Sequence, residues 1–377
     1  MKVFVPKEKD SEETRVGLLP NEAGKLIKLG VELEIEAALG QSINIPDKDY
    51  EAIGAKISTS RNKAISGAQI ILRITSPDNE DIQNLSAGCI HISYLDPFNN
   101  TDTIKKFVSK KVSGISLEMI PRTTIAQKMD VLSSQANLAG YVAVILCAER
   151  LKKIFPMMMT AAGTISPVRV FIIGAGVAGL QAIATAKRLG ARVDAFDVRP
   201  EAQEQIVSLG ARPLQIDIGE TGQTKEGYAK QLTDEQIEKQ RQAMTKQCAA
   251  SDIVITTAKV FGKKAPLIVT NKMLDEMKQG SIVIDLAADT GGNVEASEPG
   301  KEIERKGVTI IGYPELQRRV PLTASTMFSS NIYNFVEHFW DKESKTFVLN
   351  RDDEILKGCL ITHEGEVVNK RIKDIMK

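Results

Sequence analysis

The chain alternates short apolar runs with longer amphipathic ones. Residues 3–6 form a brief apolar run, residues 21–29 read as a helix stopped by Gly30, and residues 31–36 alternate at period two. Further strand-like runs fall at 68–74, 89–95 and 113–119, with a helical segment at 102–110. Strands separated by helices predict a parallel, doubly wound sheet. A long helix is expected over 136–155, where Leu138, Val142, Ile145, Leu151 and Phe155 recur at helical spacing and Pro156 follows. A second alternating series supplies strands at 168–173, 192–196, 252–257, 281–286 and 308–312. A second long helix is expected over 325–340, with Phe328, Ile332, Phe335, Val336 and Phe339 on one face and Ser325 as N-cap. Strand-like runs return at 346–349 and 358–362. The pattern predicts an α/β chain of two doubly wound, Rossmann-like parallel-sheet domains joined by two long helices, with a ligand cleft between them. The expected boundaries are 1–135 plus 326–377 for a discontinuous first domain and 140–322 for the second.

Composition narrows the class of function. The 377 residues suit two domains of ordinary size, and 42% hydrophobic with 26% charged residues is usual for a globular protein. With 49 Lys plus Arg against 48 Asp plus Glu, the net charge of +1 offers no electrostatic footprint for nucleic acid or an anionic membrane. The opening MKVFVPKEKDSEE lacks the apolar run of a signal peptide. The longest apolar run, 142–148, is far shorter than the ~20 residues of a membrane span, so no direct membrane insertion is expected. Cys89, Cys147, Cys248 and Cys359 are scattered without metal or disulfide spacing, so no metal site is expected, the thiols read as core residues, and a reducing cytoplasm fits.

Candidate chemistry starts with VRVFIIGAGVAGLQAIATAKRLGARVDAFDVR. An apolar strand runs into Gly174-x-Gly176-x-x-Gly179, a helix begins at Val177, and a second strand ends at Asp197. Gly174 permits a tight turn, Gly176 a close approach to a pyrophosphate, and Gly179 close helix–strand packing. The helix N-terminus favours an anion. Asp197, 18 residues after Gly179, stands where a carboxylate binds a ribose 2′-hydroxyl. That carboxylate favours NAD over NADP, whose 2′-phosphate it repels; Arg199 works against the preference unless it is taken up in an ion pair.

Upstream lies PRTTIAQKMDVLSSQANLAGY. Arg122, Gln127, Asp130 and Ser133 surround Met129, Val131 and Leu132, and read locally as a loop and helix cap with Ser133 or Ser134 as N-cap. This stretch, together with FPMMMTAAGTISP, the glycine fingerprint, MKVFVPKE and RVGLLP, closely resembles the NAD(H)-binding component of the proton-translocating NAD(P) transhydrogenase family, over nearly the full length. The resemblance implies an oxidoreductase in which hydride passes directly, with Si/Re specificity, between NAD(H) on this chain and NADP(H) on a partner subunit. It implies that Arg122 lies toward the pyrophosphate, that Gln127 holds the nicotinamide, and that Asp130 and Ser133 contact the nicotinamide ribose or carboxamide. It also implies a cofactor-binding set of Gly174, Gly176, Val177, Ala178, Gly179, Asp197, Val198, Arg199, Gly227, Ala258 and Lys259. The insertion between about 215 and 253 reads as a mobile surface loop, and Tyr228 in GYAK matches a residue of the family's closing loop. Expected partners are membrane-spanning and NADP(H)-binding subunits and a second copy of this chain, with the chain held peripherally at the inner membrane.

The sequence also resembles alanine dehydrogenase. Arg15 in TRVGLLP matches that family's substrate-binding arginine, and Asp289 in IDLAADTGG an acidic site. That chemistry needs a lysine and a histidine. An ungapped placement puts Arg73 and Tyr94 there, while His91, His338 and His363 read as structural or remote. Hydride transfer between two nicotinamides needs positioning and exclusion of water but no proton transfer at the reacting carbon, which suits a site of Arg, Gln, Asp and Ser.

Overall fold

The structure, a computed structural model, describes residues 1–216 and 233–376. The chain divides into two compact units: Met1–Gln135 with Arg318–Lys377, and Ala136–Gln317.

The first unit is built on an eight-stranded sheet. Its order is Glu366–Val367, Leu360–His363, Ser113–Ser116, Ile90–Ser93, Ile70–Leu72, Lys2–Val5, Glu32–Glu36, Lys56–Ser58. The six strands from Ser113–Ser116 to Lys56–Ser58 are parallel, and the two from the C-terminal tail add antiparallel. The central strands read as near-continuous apolar runs because helices cover both faces; Val3, Phe4, Ile70, Ile71 and Ile92 are buried. The helix Pro321–His338 buries Ala324, Phe328, Ile332, Phe335 and Val336, the i, i+4, i+7 stripe. Burying one such phenylalanine contributes about 2 kcal/mol.

The second unit carries a seven-stranded sheet in the order Arg212–Pro213, Arg192–Phe196, Arg169–Ile173, Ile253–Thr256, Ile282–Asp285, Val308–Ile311, Glu302–Arg305. All pairs are parallel except the last. Strand order therefore reverses at Arg169–Ile173, the position at which doubly wound sheets bind nucleotides. Its core includes Phe171, Val254, Val283 and Ile310 packed with Met244, Cys248 and Met273.

Several elements differ from the sequence expectation: the expected strand at 358–362 is preceded by the helix Glu354–Cys359 and runs over Leu360–His363, the one at 113–119 ends at Ser116, and three further differences concern the long helices and the insertion. The first long helix spans Val131–Arg150, five residues ahead of the expected range at each end. Asp130 caps it in place of Ser133 or Ser134: its carboxylate accepts from the Ser133 backbone N at 2.9 Å and the Ser133 hydroxyl at 2.6 Å. An aspartate with two downstream donors outcompetes the serines, and Val131 is then free to be buried at once. This helix is long and apolar enough by length and composition to cross a membrane, which the longest unbroken apolar run does not reveal; half of its apolar window is buried within the protein. The second long helix begins at Pro321, a residue suited to the first turn. Ser325 is not its cap but lies buried inside it, where its hydroxyl accepts from the Val16 N at 2.8 Å. The insertion expected as a loop contains the helix Asp234–Ala250, started by a capping box of Thr233 and Gln236.

Candidate cofactor site

Each of the three fingerprint glycines has a different physical reason in the second unit. Gly174 ends the strand Arg169–Ile173 with φ +99°, a conformation that side chains disfavour, and a Cβ there would stand 2.5 Å from the Thr257 hydroxyl. At Gly179 a Cβ would meet the Gly174 carbonyl oxygen at 1.8 Å, so only glycine lets the helix Val177–Arg188 start so close to the strand. At Gly176 a Cβ would meet nothing within 4 Å. Packing does not demand that glycine, and the open space leaves its backbone accessible to a ligand. Gly176 is also the N-cap of the helix and offers no side-chain cap, so the helix N-terminus is left open to an anion. Val177 beside it is 37% exposed, an apolar side chain at the rim of the same opening. Gly140, in the preceding long helix, completes the arrangement: a Cβ there would lie 2.1 Å from the Ala178 oxygen.

Asp197 follows the next strand. One carboxylate oxygen accepts from the Ala175 N at 2.7 Å, tying the glycine turn to the neighbouring strand end. The other accepts from the Arg199 N and Nε, both at 2.9 Å, and Arg199 Nη2 reaches back to the first oxygen at 3.0 Å and to the Ala175 carbonyl at 3.2 Å. The hydrogen bond to Asp197 is the chief reason the Arg199 guanidinium holds its proton more tightly than usual. Val198 lies between the two, partly buried.

Ala258 and Lys259 follow the strand on the other side of Arg169–Ile173. The Thr257 hydroxyl donates to the Gly174 carbonyl at 3.0 Å. Asn293, fully buried, fixes this segment: its Oδ1 accepts from the Ala258 N at 3.0 Å, and its Nδ2 donates to the Ala258 and Pro266 carbonyls at 2.9 and 2.8 Å. Asp285, also fully buried, holds the Asn293 loop by accepting from the N atoms of Ala287, Asn293 and Val294. Lys259 pairs with Asp289 at 2.7 Å, so the acidic residue of the alanine dehydrogenase comparison is engaged by a neighbouring lysine. Sequence reasoning missed Thr257, Asp285, Asn293 and Gly140. Thr257, Asn293 and Gly140 act through partners distant in the chain, and Asp285 through the backbone of the loop that follows it, so none gives a local pattern of its own.

In the first unit, Arg122, Gln127, Asp130 and Ser133 fall in one short stretch around the 3₁₀ turn Ile125–Met129. Ala126 and Met129 are buried, which leaves Gln127 exposed on the outside of the turn. Arg122 Nε stands 4.0 Å from Asp130 Oδ2, beside the Asp130–Ser133 cap. The turn is anchored by the helix Pro321–His338: Asn331 and Asn334 donate to the Lys128 carbonyl at 2.9 and 3.2 Å. Tyr228 and Gly227 lie outside the described residues.

The remaining candidates are engaged elsewhere in the first unit. Arg15 is buried, forked on Glu13 with Nε at 2.7 Å and Nη2 at 2.6 Å, and donates to Gln135 at 3.1 Å. Arg73 is buried between Asp81 at 2.7 Å and Glu8 at 2.8 Å. A guanidinium does not give up its proton in water or protein, so Arg73 cannot serve as an acid–base lysine. The Tyr94 ring packs at 5.7 Å from Phe328. His91 is fully enclosed, edge-on to Phe107 at 5.3 Å, and burial, helped by the charge of Arg73, pushes its pKa down to about 3. All four cysteines are buried free thiols, and burial pushes Cys89 and Cys248 up to about 12. Among the described residues no group of three or more His, Cys, Asp or Glu could hold a metal ion. A cavity of about 320 Å³, lined by His338, Phe339, Trp340, Asp341 and Val348, lies in the tail of the first unit, and of the residues weighed from the sequence it holds His338. The residues that fit a dinucleotide are those of the glycine turn: an open cradle at Gly176, an uncapped helix start and a carboxylate at the next strand end.

Known proteins place the chain. Residues 4–139 match the family described as alanine dehydrogenase/PNT, N-terminal domain, and residues 143–370 match alanine dehydrogenase/PNT, C-terminal domain. The chain is 41% identical over 376 residues to the first segment of NAD(P) transhydrogenase subunit alpha from Rhodospirillum rubrum, covering 98% of both proteins. It is 42% identical over 378 residues to the corresponding alpha-subunit segment of Rickettsia prowazekii, covering 99% of this chain and 98% of the relative. The crystal structure of transhydrogenase from Sinorhizobium meliloti superposes with a TM-score of 0.88 at 41% identity, over 98% of this chain and 100% of that one. An L-alanine dehydrogenase shares the fold at a TM-score of 0.84 and 22% identity, over 100% of this chain and 99% of that one. With family matches across both units and full-length identity above 40%, the chain belongs to the alanine dehydrogenase/PNT family, and within it to the group formed by the first segment of transhydrogenase subunit alpha.

Proposed function

We propose that this chain is the NAD(H)-binding component of a proton-translocating NAD(P) transhydrogenase, passing hydride directly between NAD(H) held here and NADP(H) held by a partner subunit. The observation that carries the reading is the glycine turn at the sheet's reversal point, with Gly176 open and Asp197 at the next strand end, in a chain similar along its full length to the first segment of transhydrogenase subunit alpha. The nicotinamide ring supplies the hydride chemistry when bound. This chain's residues bind it, orient it and keep water away.

In this reading the backbone at Gly176, Val177 and Ala178 holds the pyrophosphate, Gly174 and Gly179 shape the turn, and Asp197 accepts from the adenosine ribose. Val198, Arg199, Ala258 and Lys259 line the cofactor, and Gly227 and Tyr228, outside the described residues, are assigned to it by resemblance. Arg122 lies toward the pyrophosphate, Gln127 orients the nicotinamide, and Asp130 and Ser133 contact its ribose or carboxamide. The unit carrying the cofactor is Ala136–Gln317, close to the 140–322 expected from the sequence, and Met1–Gln135 with Arg318–Lys377 forms the other in place of 1–135 with 326–377. Si/Re specificity, a homodimer, and peripheral attachment at the cytoplasmic side of the inner membrane through membrane-spanning subunits belong to the same proposal.

Calorimetric titration of the purified chain tests the binding part. NADH should bind more tightly than NADPH, and the chain should not reduce NAD with L-alanine. Alanine turnover near an ordinary enzyme rate of ~10 per second would make it an amino-acid dehydrogenase instead.

A further inference from the structure

We propose that Arg199 is a 2′-phosphate-binding cation kept out of use by Asp197, so that the preference of this chain for NAD(H) over NADP(H) rests on one intramolecular ion pair. The inference rests on the reading of the glycine turn as the NAD(H) site. A carboxylate at this position is usually credited with selectivity because it binds a ribose hydroxyl and repels a phosphate. Here it has a second task. The Asp197 carboxylate takes Nε and Nη2 of Arg199 at 2.9 and 3.0 Å, a fork-to-fork pair, and adds the Arg199 backbone N at 2.9 Å. The same guanidinium is tethered to the glycine turn through the Ala175 carbonyl at 3.2 Å, while Asp197 holds the Ala175 N at 2.7 Å. The pair is largely enclosed, with the Asp197 side chain 9% and the Arg199 side chain 20% exposed, so solvent screens it weakly. A planar guanidinium beside the dinucleotide turn is the group that recognises a phosphate by paired hydrogen bonds. The neighbouring carboxylate, already matched to that fork, stands against its doing so.

The pair therefore sets selectivity twice over: it presents a negative charge to a 2′-phosphate and occupies the cation that would otherwise receive one. Asp197→Asn separates these tasks from the fold. The amide oxygen can still accept from the Ala175 N and from Arg199 Nη2, while the amide NH₂ meets the Arg199 N and Nε as donor against donor, which breaks half of the fork and removes the negative charge that holds the guanidinium.

The test is calorimetric titration of NADH, NADPH, 5′-ADP and 2′,5′-ADP into the wild type, Asp197→Asn, Arg199→Ala and the double variant, with melting curves for each. Asp197→Asn is expected to raise affinity for NADPH and 2′,5′-ADP by roughly tenfold or more, the scale of a charge-assisted phosphate contact, and to weaken NADH. The gain should vanish in the double variant and return in part with Asp197→Asn combined with Arg199→Lys. A gain that survives removal of Arg199, or no gain in an Asp197→Asn protein that melts like the wild type and still binds NADH, would overturn the proposal. Asp197→Ser serves as the second variant if Asp197→Asn does not fold. A wild type that binds none of the four nucleotides would overturn the underlying site reading instead.

Discussion

Among single residues, the fingerprint separates into glycines that the fold needs and one, Gly176, that packing does not need and the proposed cofactor would. Gly179→Ala drives a methyl group into the Gly174 carbonyl and should destabilise the protein by more than about 2 kcal/mol, read as a lowered melting temperature. Gly176→Ala has open space and an extended backbone that alanine adopts, so it should melt near the wild type yet bind NADH about tenfold more weakly. Equal loss of stability in both variants would remove the argument for a ligand cradle. Gln127→Asn makes the complementary case: the side chain is exposed on its 3₁₀ turn, so its loss should leave folding and NADH affinity within a few-fold while slowing hydride transfer. The glycines and Asp197 were legible in the sequence because their chemistry depends on local spacing. Asn293 was not. Its task is to hold both the N–H and the carbonyl of Ala258, 35 positions away, and a lone asparagine gives no pattern that announces a distant partner.

Among elements, most strands were legible because buried parallel strands are continuous apolar runs, as in 168–173 and 281–286. Helix ends were less so. The helix Val131–Arg150 starts early because Asp130, whose sequence neighbourhood suggests ligand chemistry, is at the same time the cap. It stops early because the chain has already turned: the Phe155 carbonyl accepts from the Val168 N at 3.1 Å, ahead of the next strand. The short pairing of Trp340–Asp341 with Thr346–Phe347 takes a tail segment that reads as a strand and keeps it out of the main sheet. His91, on the strand Ile90–Ser93, gives this scale a pH test. Its folded pKa of about 3 lies below the ordinary value of 6.5, so its neutral form contributes stability that is present above 6.5 and is lost as pH falls toward 3. Denaturant unfolding of the wild type should therefore show about 2 kcal/mol less stability at pH 5 than at pH 7 from this one group. His91→Leu should flatten that part of the profile. An unchanged slope would mean that His91 is not held neutral by burial.

For the whole molecule, the sequence carried the alternation that builds two doubly wound sheets, and composition carried only exclusions. A net charge of +1 hides any local docking surface, so partner contacts were not legible from totals, and similarity to relatives supplies them only as an expectation. What the structure adds is restraint on the chemistry. The dinucleotide fingerprint occurs once, in the second unit, and the buried arginines, histidine and cysteines of both units are engaged in packing or ion pairs. In the proposed reading the second nucleotide comes from another subunit. The most direct test is to mix the purified chain, loaded with an oxidised NAD analogue, with the NADP(H)-binding domain of a transhydrogenase and NADPH deuterated at the transferable position. Reduction of the analogue, followed by rapid-mixing absorbance, should carry the deuterium across undiluted by solvent protons. No reduction although both nucleotides are bound and the two proteins are docked, or loss of the label to water, would contradict the account.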